Sequence, residues 1–389
     1  MSLEQNTVLL SPEGKIDAGN AKEWDERIKN ATAQHPDAAL VLDFDRLEYI
    51  SSAGLRVLLA AVRRMPSPVT LKNVSPDVYE ILDMTGFTSL LKAERQLRRI
   101  DISGCEVIGR GATASVYRLD PDTIVKVYDI PNALELIQRE QTRAKQAFLK
   151  GIPTAISYDA VRVGNRFGSV FELVDARTFV DVLRAEPQRL DELVRRHAAV
   201  MHTIHSTLAE AGELPDCRAL YRKHLAEIGQ AIPETLRRQL EERFLAMPED
   251  LHLIHGDIHM KNVMLCGEET LLIDMETLST GNPVFDLADL FVAYMAFNED
   301  DPTNSLRIIG LPADTCREVY EKTLACYLEM SGIDNRPGLT DKILAVGYVR
   351  FLYLVAVGRF GGEELVETRV QHTVEHLENL LPRVEQFDI

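Results

Sequence analysis

Apolar positions along the first hundred residues switch between two periods. NTVLLSP and GKID read as short strands about a turn at Pro12 to Gly14, and AGNAKEWDERIKNAT has helical spacing through Ala21, Trp24 and Ile28. ALVLDF is a compact buried strand; in the SSAGLRVLLAAVRR that follows, Leu55, Leu58, Leu59 and Val62 fall on one helical face. A strand VTLKNV and a helix VYEILDMTG complete a small α/β unit with helices packed on a sheet. The basic segment Lys92 to Arg99 is the expected linker. From Asp101 the texture changes. CEVIGRGATASVYRLD, TIVKVYD and AVRVGNRFGSVFELVD predict strands, with a helix through Glu140 between them, and this β-rich lobe occupies residues 101–175. Residues 176–389 are mostly helical, apart from short strands near NVMLC and TLLID. No internal repeat or low-complexity tract interrupts the pattern.

Composition narrows the class. A chain of 389 residues with 46% hydrophobic content buries more than one core, which predicts two or three domains. The five cysteines, Cys105, Cys217, Cys266, Cys316 and Cys326, are odd in number and scattered, as in a reducing compartment. The N-terminus carries no signal pattern and no apolar run approaches the roughly 18 residues of a membrane span, so a cytoplasmic protein without membrane partner is expected. Residues 1–100 hold 13 Lys/Arg and 14 Asp/Glu, leaving 30 basic and 46 acidic groups to the remainder. That acidic remainder repels polyanions and excludes nucleic acid, while a cationic small molecule or a basic protein face remains permitted.

Several spacings point to phosphate chemistry. In VIGRGATASV, Gly109 and Gly111 sit between strand-like runs, where missing side chains let backbone N–H groups approach phosphates; an ordinary hairpin turn has the same signature. Lys126 lies in an apolar strand, where alternation alone makes it a solvated residue. Its distance from the glycines suits a strand that aims an ammonium at phosphates, held by Glu140 on the next helix or by Glu135 as fallback. The decisive stretch is LIHGDIHMKN. Phosphoryl transfer needs a carboxylate to orient the attacking hydroxyl and oxygen ligands for Mg²⁺. Asp257 and Asn262, five positions apart, supply the first role and one ligand, and Asp274 in TLLIDMET follows on a neighbouring strand. The rival reading is a zinc site at His252, His255 and His259, or at His202 and His205. The ordered carboxylates explain the segment without the three-histidine or thiolate set that zinc prefers.

HGDIHMKNVML, LLIDMET and GNPVFDLADL resemble the aminoglycoside phosphotransferase and choline kinase branch of the protein kinase-like superfamily, over roughly residues 101–389. His255, Gly256, Asp257, His259 and Asn262 match its loop pattern, and MHTIH at Met201 to His205 is similar to one of its helices. The resemblance implies a bilobal kinase-like fold with ATP and Mg²⁺ as cofactors. It implies Asp257 as catalytic base, Asn262 and Asp274 as metal ligands, and Lys126 with Glu140 on the phosphates. The hinge near Glu172 to Val174 is then expected to receive adenine. Gly256 stands where protein kinases have an arginine, and eleven residues between Asp274 and Asp286 are too few for a long activation segment. Activity independent of activation-loop phosphorylation follows, with Asp286 as an anchor of the catalytic loop.

The first 98 residues resemble the STAS domain of anti-sigma-factor antagonists. Ser51 and Ser52, at the junction of strand and helix, suit a helix N-cap, since a serine hydroxyl satisfies an orphan N–H. A phosphate at the same place faces the positive helix end and changes the surface by nearly two charges. By resemblance Ser52 matches the phosphorylated serine, Gly54 the glycine and Leu55 the leucine, while Ser51 replaces the aspartate and Ala53 the second hydroxyl residue. Partner kinases of such domains usually have a different, GHKL-type fold.

The expected organisation is thus a STAS domain over 1–98 and a kinase-like phosphotransferase domain over 99–389, α/β followed by α+β. Three functions compete. The first is ATP- and Mg²⁺-dependent transfer of a γ-phosphate to a small-molecule hydroxyl under a STAS regulatory module. The second is a protein kinase of a partner-switching pathway acting on Ser52 or on a partner's STAS serine. The third is a nucleotide-binding scaffold with little catalysis, against which the intact Asp257, Asn262 and Asp274 set argues.

Overall fold

The computed structural model describes residues 7–35, 37–111, 113–131, 133–173, 176–334, 338–358 and 365–389. The backbone divides into two compact units, Met1–Asp101 with Val161–Asn165, and Ile102–Ala160 with Arg166–Ile389.

In the first unit, strands β1 (Thr7–Leu10), β3 (Ala39–Asp43), β5 (Thr70–Val74) and β6 (Lys92–Arg95) form one parallel sheet in that order, and β2 (Glu13–Ile16) pairs in parallel with β4 (Arg46–Ile50). Helices α1 (Ala21–Ala33), α2 (Ser52–Arg64) and α3 (Pro76–Met84) lie between the strands in sequence, as parallel pairing requires long crossovers. The turn at Pro12–Gly14 joins strands that pair with β3 and β4. One expectation changes. The basic segment taken as a linker is in part the edge strand β6, tied by Lys92 N–H to Val69 O (3.0 Å) and Gln96 N–H to Val74 O (2.7 Å); its charges suit an exposed edge. The two-residue strand β7 (Arg98–Arg99) follows.

Helix α2 buries Leu55, Val57, Leu58 and Ala61, while Leu59 and Val62 are only partly covered. Gly54 lets it approach closely: a Cβ there would lie 2.6 Å from Ile50 Cγ1 and 2.8 Å from Ile16 O. Each large side chain of this core, such as Phe44 or Leu71, contributes about 1.5–3 kcal/mol by burial.

The second unit opens with β8 (Val107–Arg110), β9 (Ala114–Arg118), β10 (Thr123–Tyr128), helix α4 (Ala133–Leu149), β11 (Ser157–Val163) and β12 (Arg166–Glu172). The strands lie in the order β11-β12-β10-β9-β8. Its helical part runs from β13 (Arg177–Thr178) through α5 (Phe179–Ala185), α6 (Leu190–His205), α7 (Cys217–Ile228) and α8 (Glu234–Ala246). Short strands β14 (Leu253–Ile254), β15 (Val263–Cys266), β16 (Glu269–Leu272) and β17 (Ser279–Thr280) carry the loop between them. Helices α9 (Val284–Phe291), α10 (Phe297–Asp300), α11 (Asn304–Ile308), α12 (Ala313–Ser331), α13 (Leu339–Ala356) and α14 (Val366–Leu380) complete it. Helix α9 is buried on nearly every side, against α13, which is why VFDLADLF reads as almost continuously apolar. Among the described residues no helix is long and apolar enough to cross a membrane.

Candidate active site

Strand period places Lys126 on the face opposite Val125 and Val127, both fully buried, and on the same face as Tyr128. Alternation made this lysine a solvated residue; instead its Nζ lies 3.6 Å from Glu140 Oε1 and 3.5 Å from Asp274 Oδ1. Burial disfavours the ammonium, but the Asp274 and Glu140 carboxylates outweigh it and raise the Lys126 pKa. Glu140, not Glu135, is therefore the helix partner. Its second oxygen accepts from Tyr128 Oη at 2.6 Å, a contact the sequence reading missed although Tyr128 sits two residues from Lys126.

The loop after β14 is built on one buried carboxylate. Asp286, near the start of α9, accepts from His255 N–H (2.9 Å), Gly256 N–H (2.7 Å) and His205 Nε2 (2.9 Å). A carboxylate only accepts, so His205 carries its proton on Nε2 and receives Tyr327 Oη on Nδ1 at 2.8 Å. Burial opposes the Asp286 charge, yet His205 and the loop amides hold its pKa below the usual carboxylate range. Gly256 adopts φ +78°, and Thr277 Oγ1 closes the turn onto His255 O at 2.7 Å. His197 Nε2 to Ile258 O (3.1 Å) and Met260 N–H to Tyr294 Oη (2.8 Å) fix the rest. Asp286 thus anchors the loop.

Asp257 projects from this frame. Asn262 Nδ2 donates to its Oδ2 and to its main-chain oxygen, each at 2.9 Å, and His259 Nε2 lies 3.4 Å from Oδ1. The side chain remains 46% exposed, so it is held by protein but open to a reactant. Burial raises its pKa, and His259, His255, Arg350 and the Asn262 amide more than reverse this, so the carboxylate is charged at neutral pH. Arg350, paired at 3.6 Å with Asp289, was missed from the sequence; its one signal is a lone cation within the apolar run of α13.

Asn262 O accepts from Ile273 N–H at 3.0 Å, which sets Asp274 beside the loop. Asp274 has φ +66°, a left-handed conformation uncommon for aspartate, and begins the turn Met275–Thr277. Glu276 in that turn was also missed. Burial, Asp274 and Glu140 raise its pKa.

The glycine pair differs from a free phosphate cradle. Gly109 lies within β8 opposite Val116, and Gly111 N–H donates to Ala114 O at 2.8 Å as in a hairpin. Glu172 ends β12, is exposed, and accepts from Tyr158 Oη at 3.0 Å; Val174 lies outside the described residues. The histidines of the zinc reading have separate partners: His252 Nδ1 meets Asp250 at 2.6 Å, while His255 and His259 serve the loop as above.

In the first unit Ser51, not Ser52, caps α2. Its Oγ accepts from Ala53 N–H (3.1 Å) and Gly54 N–H (3.4 Å), leaving Ser52 as an exposed first helical residue.

Comparison with known proteins follows the same division. The model of the phosphotransferase enzyme family matches residues 104–313, and that of the STAS domain matches residues 2–100. BtrV of Bordetella bronchiseptica, described as a candidate anti-sigma factor antagonist, is 33% identical over 81 residues, covering 20% of this chain and 69% of that protein. Aminoglycoside phosphotransferase APH(2'')-Ib with ADP bound is 14% identical, covering 81% of this chain and 99% of its own at a TM-score of 0.47. A choline/ethanolamine kinase family protein from Mesorhizobium loti is 16% identical, with coverages of 73% and 89% and a TM-score of 0.46. These structural likenesses are distant, and the family assignment rests on the sequence matches.

Proposed function

This chain belongs to the phosphotransferase enzyme family and carries a STAS domain at its N-terminus; from that premise we propose an ATP- and Mg²⁺-dependent enzyme that moves the γ-phosphate to a hydroxyl of a small molecule in the cytoplasm. The STAS module ends near residue 98 and serves regulation or signalling. The observation that carries the reading is one connected set: Asp257 held by Asn262, Asn262 hydrogen-bonded to the segment before Asp274, and Asp274 paired with Lys126.

In this mechanism the acceptor hydroxyl donates to Asp257. Its oxygen bonds to the γ-phosphorus, the bond to the β,γ-bridging oxygen breaks, ADP leaves, and the hydroxyl proton passes to the Asp257 carboxylate. Lys126 offsets charge on the phosphates while Glu140 keeps its ammonium in place. Glu172 marks the strand end from which the adenine hinge departs. The β8–β9 hairpin that holds Gly109 and Gly111, its Gly111 N–H already spent on Ala114 O, covers the phosphates as a flap and not as a cradle of free N–H groups. The donor chemistry fits Mg²⁺. Asn262 spends its N–H₂ on Asp257, so its Oδ1 is left as an acceptor, Asp274 follows the Ile273 N–H that bonds to Asn262 O, and Mg²⁺ is commonly held by one or two carboxylates plus water and phosphate oxygens. When bound, the ion would offset the negative charge of the phosphates.

A second reading has its own support. With the cap supplied by Ser51, the Ser52 hydroxyl is exposed beside the positive end of α2, where a phosphate is favoured. In that reading the chain is a protein kinase of a partner-switching pathway, and Ser52 or a partner's equivalent serine is the acceptor.

Incubating the full chain with Mg²⁺ and γ-labelled ATP, followed by peptide mass spectrometry, separates the two. Label on Ser52 that vanishes in Asp257→Asn supports the protein-kinase reading. Nucleotide binding without self-labelling, with transfer to a small alcohol abolished by Asp257→Asn, supports the first. A folded chain that binds no ATP in the presence of Mg²⁺ overturns both.

A further inference from the structure

Outside the catalytic set, helix α4 borders a cavity of about 320 Å³ lined by Gln138, Arg139, Thr142, Arg143, Gln146, Glu213, Leu214 and Pro215. This is the lower end of small-molecule sites, which span roughly 300–1,000 Å³. Arg139 and Arg143 stand four residues apart, so their side chains are neighbours on one helical face.

Arg56, Arg63, Arg195 and Arg317, other helical arginines without an ion pair among the described residues, stand on exposed surface, whereas these two line a cavity together. In a chain with 60 acidic and 43 basic residues, most helical arginines find carboxylates, as Arg189 and Arg196 do at Glu192 or Arg237 at Glu234. Among the described residues neither Arg139 nor Arg143 forms an ion pair or hydrogen bond. The cavity's own carboxylate, Glu213, is already held by Lys150 at 2.9 Å. Burial disfavours the Arg143 cation, Arg139 repels it, and Glu276, with which it forms no ion pair, works in its favour. Glu276 acts on both guanidinium groups without pairing with either, and two adjacent guanidinium groups at a cavity without a paired carboxylate lower their free energy by binding a shared anion. A carboxylate satisfies one guanidinium fork, whereas a tetrahedral phosphate has enough oxygens for both.

We propose that this cavity is a binding site for a small phosphate-bearing anion, clamped by Arg139 and Arg143. Glu140, which holds Lys126, lies on the same helix, and Glu276 acts electrostatically on Arg139, Arg143 and Lys126 alike. A ligand on Arg139 therefore bears on the helix that positions the ammonium, and any coupling between the two sites is reciprocal.

The test is a titration of the full chain with inorganic phosphate at constant ionic strength, read by isothermal calorimetry and by Tm. Wild type, Arg139→Gln/Arg143→Gln, Arg143→Lys and Lys126→Met are compared. The double variant is expected to bind phosphate at least tenfold more weakly. Its Tm without phosphate is expected to equal or exceed that of wild type, because repulsion has been removed; a merely structural role for the arginines predicts a lower Tm. Arg143→Lys keeps the charge and retains most of the phosphate response, and it serves if the double variant fails to fold. Lys126→Met binds phosphate as wild type does. Phosphate affinity unchanged in the double variant, no binding to wild type, or a response lost only in Lys126→Met overturns the proposal.

Discussion

Asp286→Asn tests how the loop that carries Asp257 is built, because the replacement keeps the shape and changes only the charge and one acceptor. In the native loop a single buried carboxylate accepts from His255 N–H, Gly256 N–H and His205 Nε2. The amide retains one acceptor oxygen and turns an N–H₂ toward the remaining donors. Hydrogen bonds to a charged group contribute about 1.5–3 kcal/mol each, and a buried donor left facing another donor adds its desolvation cost. We expect a loss of about 3–5 kcal/mol, the range for breaking a buried charged pair. For a unit of this size that is a fall of roughly 6–20 °C in Tm. The sole tryptophan, Trp24, lies in the first unit, so its fluorescence does not report the loop; far-UV circular dichroism of the mostly helical second unit does. The pH dependence supplies a sign. Because the folded pKa of Asp286 is depressed, its stabilisation is fully present above the unfolded value of about 3.9 and is lost as pH falls toward the folded pKa. The gap between wild type and Asp286→Asn should therefore be constant near neutrality and close in acid. A loss below about 1 kcal/mol at pH 7, or a gap that widens as pH falls below about 4, refutes the anchor argument.

Three further outcomes follow from local geometry. Gly256→Ala puts a Cβ 3.0 Å from Thr277 Cβ and 3.1 Å from Thr277 O at φ +78°; the left-handed conformation alone costs roughly 1–2 kcal/mol, and denaturant midpoints should show at least that. Ser51→Ala removes the α2 cap and should cost about 0.5–2 kcal/mol, whereas Ser52→Ala should stay within about 0.5 kcal/mol of wild type, both measured by urea unfolding followed through Trp24. Tyr128→Phe deletes the hydroxyl held by Glu140 at 2.6 Å; we expect nucleotide affinity to weaken by roughly threefold to tenfold, since one hydrogen bond to a charged group is lost, with calorimetric titration of ADP as the measurement.

What the sequence made legible was local order, and what it left out was partners. The spacing of Asp257, Asn262 and Asp274 could be read because loop and strand end are close along the chain, and the Ile273 N–H to Asn262 O bond joins them. Lys126 was harder. Period 2 assigned its face correctly, but whether that face met water or Glu140 depended on α4 returning across the sheet, which periodicity does not encode. The same limit explains the first unit. NTVLLSP and GKID were recognisable as strands about a turn, yet their partners were not, because β3 and β4, which pair with them in parallel, lie further along the chain. Lys92–Arg95 looked like a linker because its side chains are charged, although the strand bond is made by the backbone, to Val69 and Val74. Ser51 and Ser52 are the finest case. Both are adequate caps by composition, and only the turn of the chain decides which hydroxyl points back into the helix. That choice leaves the Ser52 hydroxyl exposed, so the serine proposed as a phosphate acceptor is set apart by a hydrogen bond it does not make.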